Sequence, residues 1–257
     1  MPSWLKDWIV QTKSELKVFG FQSLLSKGYR FIGMRIFGDS FYQAPLIACI
    51  ESLAPLCKTF IDIGAGRGTI TTAVWNLFDE CIAIEPSSSR VKQLKRNLAA
   101  AGNCVVIQRA LSSRVQNAVF YQSRSNTDDA GLFLRDDLVA TDIICVSTLD
   151  DITKGDTLAT PYLIKIDVQG SELDVLMGGI ETAEVTGAIL TEFWPYGIAS
   201  TGRKPIEYLR FITQLGFRIY DIKGRLVPDQ ILARICSLGE RNRFVTTDLL
   251  CMRSKSS

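Results

Sequence analysis

The run from Phe60 to Thr69 contains the residues whose types and spacing most directly suggest chemistry. It is an apolar stretch that carries the carboxylate Asp62 and is followed by glycines at Gly64, Gly66 and Gly68. Glycine adopts backbone conformations that other residues avoid, and it lets a ligand approach main-chain atoms closely. We therefore expect a strand, a tight turn and the start of a helix, with a flat polar ligand bound at the turn.

The spacing of these glycines separates two kinds of nucleotide site. The dinucleotide fingerprint is Gly-x-Gly-x-x-Gly, and counted from Gly64 its third glycine is replaced by Thr69. The pattern looks instead like the first motif of S-adenosylmethionine-dependent methyltransferases. That donor has a cationic amine and a sulfonium but no pyrophosphate, so a carboxylate such as Asp62 attracts it. The alternative, an NAD(P)-dependent oxidoreductase or epimerase, predicts a third glycine or a Tyr-x-x-x-Lys pair, and the chain has neither.

Four carboxylates close apolar runs that have the character of buried strands: Asp62, Glu85, Asp167 and Glu192. In an open α/β sheet, ligands bind beyond the carboxyl ends of the strands, so these side chains are candidates for one site. Glu85 lies about 20 residues beyond the glycine turn, where an acid accepts the hydroxyls of a ribose. The alternative role for each is to cap the helix that follows, because helix N-termini favour acids.

The run Lys165–Glu172 is the third candidate motif. Side chains alternate along a strand, so Lys165 and Asp167 share one face. A buried lysine needs an opposite charge, and we expect its partner to be one of the strand-end carboxylates. Gly170 permits a sharp turn, and Glu172 lies where the dipole of the next helix favours an acid.

Helical and strand-like patterns alternate along the chain, and this positions the motifs. Such alternation predicts a mostly parallel sheet covered by helices on both faces. An insertion over residues 112–147, which we call the excursion, interrupts this alternation and is predicted to form antiparallel strands. The predicted strands are Thr59–Ile63, Cys81–Pro86, Cys104–Ile107, Tyr162–Val168, Gly187–Glu192, Phe217–Ile222 and Asp248–Met252, with Asn117–Gln122 and Asp142–Val146 in the excursion. The predicted helices are Ala44–Leu56, Thr69–Leu77, Val91–Leu98, Ser171–Gly178 and Pro205–Leu215.

Composition restricts the chemistry further. The 257 residues carry a formal charge of +2, which does not favour a nucleic-acid partner, and the hydrophobic content of 47% is ample for a core. The seven cysteines are scattered and histidine is absent, so the usual zinc sites and Ser-His or Cys-His nucleophiles are excluded. A general base must then be a carboxylate, lysine or tyrosine. With no apolar run of membrane-span length and no signal peptide, we expect a cytoplasmic protein.

The first 45 residues differ from the rest of the chain in their pattern of apolar and charged residues. Apolar residues at roughly helical spacing, among them Trp4, Trp8 and Phe19, predict one or two amphipathic helices. Two interpretations stay open. These helices cap the main domain or join a homodimer, or they touch a membrane surface through residues 1–40. We therefore divide the chain into a helical extension, 1–45, and a main domain, 46–257.

Taken together, the motifs resemble those of the FkbM family of methyltransferases. The resemblance covers residues 59 to 193, and it rests on the glycine turn, Ile84-Glu85-Pro86, Thr148-Leu149-Asp150-Asp151, the Lys165–Glu172 run and Glu192-Phe193. It implies a class I methyltransferase fold: a Rossmann-like, doubly wound α/β fold with a mostly parallel seven-stranded sheet and an antiparallel last strand. Gln169 stands where many relatives carry glutamate.

The resemblance also implies function. It indicates O-methylation, with S-adenosylmethionine as donor, of a hydroxyl on a sugar, a glycan or a secondary metabolite. The residues assigned to the donor are Asp62, Gly64, Ala65, Gly66, Gly68, Glu85, Pro86, Ala110 and Asp167. A scaffold that binds the donor without catalysis is a further alternative, although it leaves Lys165 and Asp167 without a purpose.

Catalysis by such an enzyme requires alignment of donor and acceptor and removal of a proton. Asp167 is our first candidate for the acceptor hydroxyl or the methionine end of the donor, and Glu192 is the second. Lys165 is assigned to orienting and neutralising them, because a base would need a lowered pKa. We predict no resident metal; in a magnesium-assisted variant Asp167 and Glu192 would be ligands. Trp194 and Tyr196 either line the acceptor pocket or pack beneath their loop.

Overall fold

The computed structural model describes residues 39–123, 130–135, 138–154 and 158–253. Its centre is a seven-stranded sheet built from the apolar runs recognised in the sequence. In chain order the strands of this sheet are β1 (Thr59–Ile63), β2 (Glu80–Ile84), β3 (Cys104–Ile107), β8 (Tyr162–Ile166), β9 (Thr186–Phe193), β10 (Phe217–Asp221) and β11 (Thr247–Arg253).

The order of the strands across the sheet is β10-β11-β9-β8-β1-β2-β3. All pairs are parallel except those of β11, which runs antiparallel to both β10 and β9. The predicted mostly parallel sheet with an antiparallel last strand is therefore confirmed. The chain winds from β1 outward through β2 to β3 and then returns to place β8 on the other side of β1. The carboxyl ends of β1 and β8 thus flank the point where strand order reverses, which is where open α/β sheets bind ligands.

Helices cover both faces of the main sheet. They are α1 (Asp39–Leu53), α2 (Thr69–Val74), α3 (Ser88–Asn97), α4 (Leu149–Thr153), α5 (Glu172–Met177), α6 (Ile180–Glu184), α7 (Pro195–Ser200), α8 (Pro205–Gln214) and α9 (Asp229–Gly239). Side chains alternate along β1, so this strand contributes residues to the hydrophobic cores on both faces of the sheet. Phe60 packs against α1 and α2 on one face, whereas Ile61 and Ile63 join the larger core on the other face. This doubly wound α/β arrangement agrees with the predicted fold class.

The excursion forms a second, four-stranded sheet. Its strands are β4 (Ala110–Leu111), β5 (Gln116–Ser123), β6 (Ala130–Gly131) and β7 (Leu138–Ser147), in the order β4-β7-β5-β6. The strands β5 and β7 pair antiparallel along most of their length, as the sequence predicts. Phe120 and Val146 are buried, while Ile143 is 73% exposed. One face of this small sheet therefore packs on the protein and the other faces solvent.

The structure differs from the sequence prediction at several elements. Helix α9 was not predicted, and α7 occupies what was expected to be a loop after β9. Helix α1 spans Asp39–Leu53 and so includes residues 45 and 46, while the division of the chain into an extension, 1–45, and a main domain, 46–257, stays a prediction. The predicted helices of residues 1–38, and with them both interpretations of that segment, lie outside the described residues.

No helix in the described part of the chain is both long enough and apolar enough to span a bilayer.

Candidate active site

The glycine turn lies between β1 and α2, at the carboxyl edge of the sheet. Gly64, Gly66 and Gly68 have φ values of +78°, +60° and +85°, a region that side chains with a Cβ rarely adopt. A Cβ at Gly64 would overlap the carbonyl oxygen of Asp167, whereas one at Gly66 would project into open space. The turn is thus packed against β8 on one side and leaves its backbone accessible on the other.

Glu85 follows β2 and faces the glycine turn. Its Oε2 accepts a hydrogen bond from the backbone N–H of Gly66 at 2.9 Å, and its Oε1 accepts one from the N–H of Ser87 at 2.9 Å. Arg90 NH1 lies 3.8 Å from Oε1. Burial raises the pKa of Glu85, and the guanidinium of Arg90 and the two backbone donors oppose that shift. Each carboxylate oxygen keeps a second lone pair, so Glu85 retains the capacity to accept hydroxyl hydrogens.

Asp62 and Lys165 form a buried ion pair between neighbouring strands. They are direct partners in the β1 and β8 register, and Lys165 Nζ lies 3.1 Å from Asp62 Oδ1. The other oxygen of Asp62 accepts a hydrogen bond from Thr71 Oγ1 at 2.6 Å. The partner that we expected for Lys165 is therefore a strand-end carboxylate. Burial alone would lower the pKa of Lys165, but the neighbouring carboxylates of Asp62 and Asp167 raise it, so the amine stays protonated.

Asp167, Gln169 and Glu192 form the second cluster at this edge. Gln169 Nε2 donates to Asp167 Oδ1 at 2.7 Å and to Glu192 Oε2 at 2.9 Å. Lys165 Nζ lies 4.0 Å from Asp167 Oδ2. Burial and the nearby Glu192 carboxylate raise the pKa of Asp167 to about 6, while Lys165 and the Gln169 amide oppose the shift. Asp167 is thus ionised at neutral pH but accepts a proton readily just below it.

Three contacts hold the turn that carries this cluster. Glu172 Oε1 accepts hydrogen bonds from the N–H groups of Val168 and Gly170 at 3.2 and 3.1 Å. Arg135, from the segment after β6, donates to the carbonyl oxygen of Gln169 at 3.2 Å. A Cβ at Gly170 would collide with backbone atoms of α7. The turn after β8 is therefore fixed from three directions.

A cavity of about 260 Å³ opens above these groups. Eight of the residues that we predicted for the site line it: Gly64, Ala65, Gly66, Glu85, Pro86, Ala110, Lys165 and Asp167. Three other predicted residues are not among the described residues of its lining. Asp62 lies beneath it and holds Lys165, Glu192 is buried behind Gln169, and Gly68 packs against Leu94. Direct contact of Asp62 with the donor therefore does not follow from this geometry.

The cavity also contains residues that the sequence analysis did not assign. Gln43 and Leu46 reach it from α1, and Phe120 and Leu132 reach it from the excursion. Arg90 also lines the cavity. Of these residues, it alone could have been recognised from the sequence, because it follows Glu85 by five residues and lies in the first turn of the next helix. Trp194 packs inside the protein rather than in the described wall of the cavity. It is 1% exposed, its ring lies 5.0 Å from the Arg135 guanidinium, and the Tyr196 ring lies 5.7 Å away, an arrangement that favours packing beneath the loop for both residues.

Comparison with known families agrees with this geometry. The model of the methyltransferase FkbM domain matches residues 62–219, which is more than half of the chain and includes every carboxylate discussed above. The chain belongs to the FkbM methyltransferase family. It is therefore a methyltransferase of α/β, class I architecture whose cofactor is S-adenosylmethionine.

Solved structures resemble this FkbM domain only distantly. A TehB-like SAM-dependent methyltransferase from Corynebacterium glutamicum has a TM-score of 0.45 and 10% identity, over 88% of this chain and 96% of that one. A precorrin-6y C5,15-methyltransferase from Geobacter metallireducens has a TM-score of 0.42 and 13% identity, over 81% and 87%. An rRNA methylase from Streptococcus thermophilus has a TM-score of 0.43 and 10% identity, over 79% and 92%. No curated protein matches significantly.

The residues around the cavity fit the cofactor of an FkbM enzyme. The open backbone at Gly66 leaves room for a nucleoside, and Glu85 is oriented toward that space by two backbone donors. Asp167 and Lys165 complete the lining at the end of β8. Within the described part of the chain, no group of three or more histidine, cysteine or acidic side chains is arranged to hold a metal ion.

Proposed function

We propose that this FkbM domain transfers the methyl group of S-adenosylmethionine to a hydroxyl of a sugar, a glycan or a secondary metabolite. The observation that carries the proposal is the pairing, across the reversal point of the sheet, of the glycine turn and Glu85 on one side with Asp167 on the other. One side suits a nucleoside, and the other offers a carboxylate with a pKa near neutrality for a hydroxyl proton.

Each side chain has a distinct role in this proposal. Gly64, Ala65 and Gly66 shape the floor of the donor site, Glu85 accepts the ribose hydroxyls, and Pro86 and Ala110 border the base. The bound cofactor supplies an electrophilic methyl group on a sulfonium. Asp167 orients the acceptor hydroxyl and takes up its proton as the oxygen is methylated.

Lys165 acts on Asp167 and not on the acceptor. Its raised pKa keeps the amine charged, so it has no lone pair with which to act as a base. The charge lies between Asp62 and Asp167 and stabilises both carboxylates in the ionised form. Glu192 remains the second candidate base, and the shared Gln169 amide links it to Asp167, although it lies behind Gln169 and is buried.

Calorimetric titration with S-adenosylhomocysteine tests the donor site. We expect Gly66→Val to abolish binding, because the new side chain fills the cavity and the φ of +60° disfavours it. Glu85→Ala is expected to weaken binding on the order of 100-fold, because the two ribose hydroxyls lose a charged hydrogen-bond acceptor. Gly102→Val and Glu51→Ala are matched controls at exposed positions. Unchanged affinity in both site variants would refute the assignment.

Transfer of labelled methyl from S-adenosylmethionine tests the acceptor class. We expect incorporation into a panel of methyl glycosides, loss of turnover in Asp167→Asn, and no effect of a strong chelator. Incorporation only into RNA would contradict the proposal. Loss of activity on addition of the chelator would contradict catalysis without a metal. Donor binding without transfer to any small molecule, glycan or RNA would favour the scaffold alternative.

A further inference from the structure

Gln169 has an unusual backbone conformation. Its φ is +58°, and it is the one non-glycine residue with positive φ in the described part of the chain. Glycine adopts this region freely and asparagine or aspartate do so at times, whereas glutamine is seldom found there. A residue kept in such a conformation is often held there because its side chain is needed in one place.

The side chain of Gln169 serves two carboxylates at once. The Nε2 group donates one hydrogen to Asp167 Oδ1 at 2.7 Å and the other to Glu192 Oε2 at 2.9 Å. Both donor hydrogens of the amide are thus used, one on the acid that follows β8 and one on an acid of β9. Without a donor between them, two carboxylates this close would repel each other, and one would rotate away or take up a proton.

Each carboxylate is also held from its other side. Glu192 Oε1 accepts a hydrogen bond from Thr246 Oγ1 at 3.1 Å, which anchors it in the interior. Asp167 Oδ2 lies 4.0 Å from Lys165 Nζ, and the side chain of Asp167 keeps 33% of its surface exposed toward the cavity. The amide therefore links a buried, immobile acid to an exposed acid at the reaction site.

We infer that Gln169 is a positioning residue that fixes the orientation of Asp167 through its side-chain amide. The inference rests on the proposed function, in which Asp167 takes the hydroxyl proton. With Oδ1 held by the amide and Oδ2 facing Lys165, rotation about the Cβ–Cγ bond of Asp167 is restricted. The positive φ of Gln169 is the backbone geometry that brings the amide between the two acids.

Two substitutions separate the amide from the backbone. Gln169→Gly accepts the positive φ but removes the amide, and Gln169→Met keeps the length of the side chain but has no donor. We expect both to lower methyl transfer by on the order of tenfold to 100-fold, in kcat more than in KM, as misplacement of a catalytic group does. Both should still bind S-adenosylhomocysteine, although Gln169 lines the cavity, and this binding also reports that they fold.

The result that would overturn the inference is transfer at the wild-type rate by Gln169→Gly. Gln169 would then serve only the shape of the turn, which glycine provides equally well. A wild-type protein that binds no S-adenosylhomocysteine, or transfers no methyl group, would instead overturn the proposed function. The two failures are therefore distinguishable.

Gln169→Glu supplies a signature that a structural role would not produce. The new carboxyl group donates a hydrogen bond only when it is protonated, so the activity of the variant relative to wild type should rise as pH falls. The charged and titratable groups around this position are Asp62, Lys165, Asp167, Glu172, Glu192, Asp248 and Arg135. All of them are present in both proteins, so the ratio reports residue 169 together with its effect on the Asp167 titration.

Carboxyl NMR provides a readout that needs no acceptor. In protein labelled at the aspartate and glutamate carboxyls, we expect Gln169→Met to raise the apparent pKa of Asp167, because the amide favours the charged form. Gln93→Glu, an exposed change, is the control for added charge in the transfer assays. An Asp167 titration identical in wild type and Gln169→Met would overturn the inference.

Discussion

At the scale of single residues, the ion pair between Asp62 and Lys165 connects the fold to the site. Both side chains are buried, at 0% and 7% exposure, and they meet only because β1 and β8 are neighbours in register. Thr71 satisfies the second oxygen of Asp62, and Asp167 lies on the far side of the lysine. The ion pair therefore lies beneath Asp167, and of the three side chains Asp167 is the one that is exposed to the cavity.

A double-mutant cycle on this pair tests its energetics. Lys165→Met is expected to destabilise the protein by roughly 3–5 kcal/mol, because it leaves the Asp62 carboxylate buried without a counter-ion. The double variant Asp62→Asn with Lys165→Met should be more stable than the sum of the single effects predicts, by more than about 1 kcal/mol. Urea denaturation measures all four proteins.

The surface pair Lys58 and Asp79, at 3.4 Å and more than half exposed on each side, is the matched control. Its coupling should be at most about 1 kcal/mol. Additive effects at Asp62 and Lys165 would contradict the role that we assign to the buried pair.

At the scale of elements, the turn from β8 into α5 carries most of the chemistry. Glu172, the first residue of α5, closes the turn by accepting two backbone N–H groups through Oε1. Its Oε2 has no hydrogen-bond partner among the described residues. Burial raises the pKa of Glu172 to about 7, and the nearby carboxylates of Asp167 and Glu192 add to the shift while the backbone donors oppose it.

This shift makes stability depend on pH with a definite sign. The pKa of Glu172 lies above the value of 4.5 for an exposed glutamate, so the folded state binds the proton more tightly. The resulting stabilisation is present below about pH 4.5 and is lost as pH rises through about 7. Relative to Glu172→Gln, wild type should lose on the order of 1–3 kcal/mol of unfolding free energy between pH 5 and 8.

Urea denaturation at several pH values measures this difference, which includes the electrostatic interaction between Glu172 and Asp167. Glu181→Gln, an exposed change on α6, should follow wild type at every pH. A constant difference between wild type and Glu172→Gln across this range would show that Glu172 titrates normally.

At the scale of the whole molecule, the topology assembles the site. The glycine turn, Glu85 and Asp167 are separated in sequence but lie at one edge, because β1, β2 and β8 are parallel neighbours. The excursion and α1 add Phe120, Leu132 and Leu46 as further walls. A ligand bound at this edge therefore contacts the main sheet, the excursion and α1 at the same time.

Such a ligand should stabilise the entire domain. S-adenosylhomocysteine at 100 times its Kd should add about 2.7 kcal/mol of stability, which corresponds to about 5–10 °C in Tm for a domain of this size. Thermal unfolding with and without ligand measures the shift. Glu85→Ala should lose it at the same concentration, and Glu51→Ala should keep it. An equal shift in Glu85→Ala and wild type would place the ligand elsewhere.

Much of the fold was predictable because its signals are local. The main strands are short apolar runs, and the glycines that turn the chain and the acids at the strand ends are visible in the sequence. Helix α9 was not predicted, although the buried residues Ile231, Leu232 and Ile235 have helical spacing.

The sequence by itself determined the order of the main-sheet strands, the glycine turn and the set of candidate acids at the strand ends, since these depend on residue type and spacing. The tertiary structure decided which acids face the cavity. It placed Asp62 beneath Lys165, Glu192 behind Gln169, and Asp167 in the open. Strand register and packing against the excursion determine these positions. Both join residues far apart in the chain, so no local pattern records them.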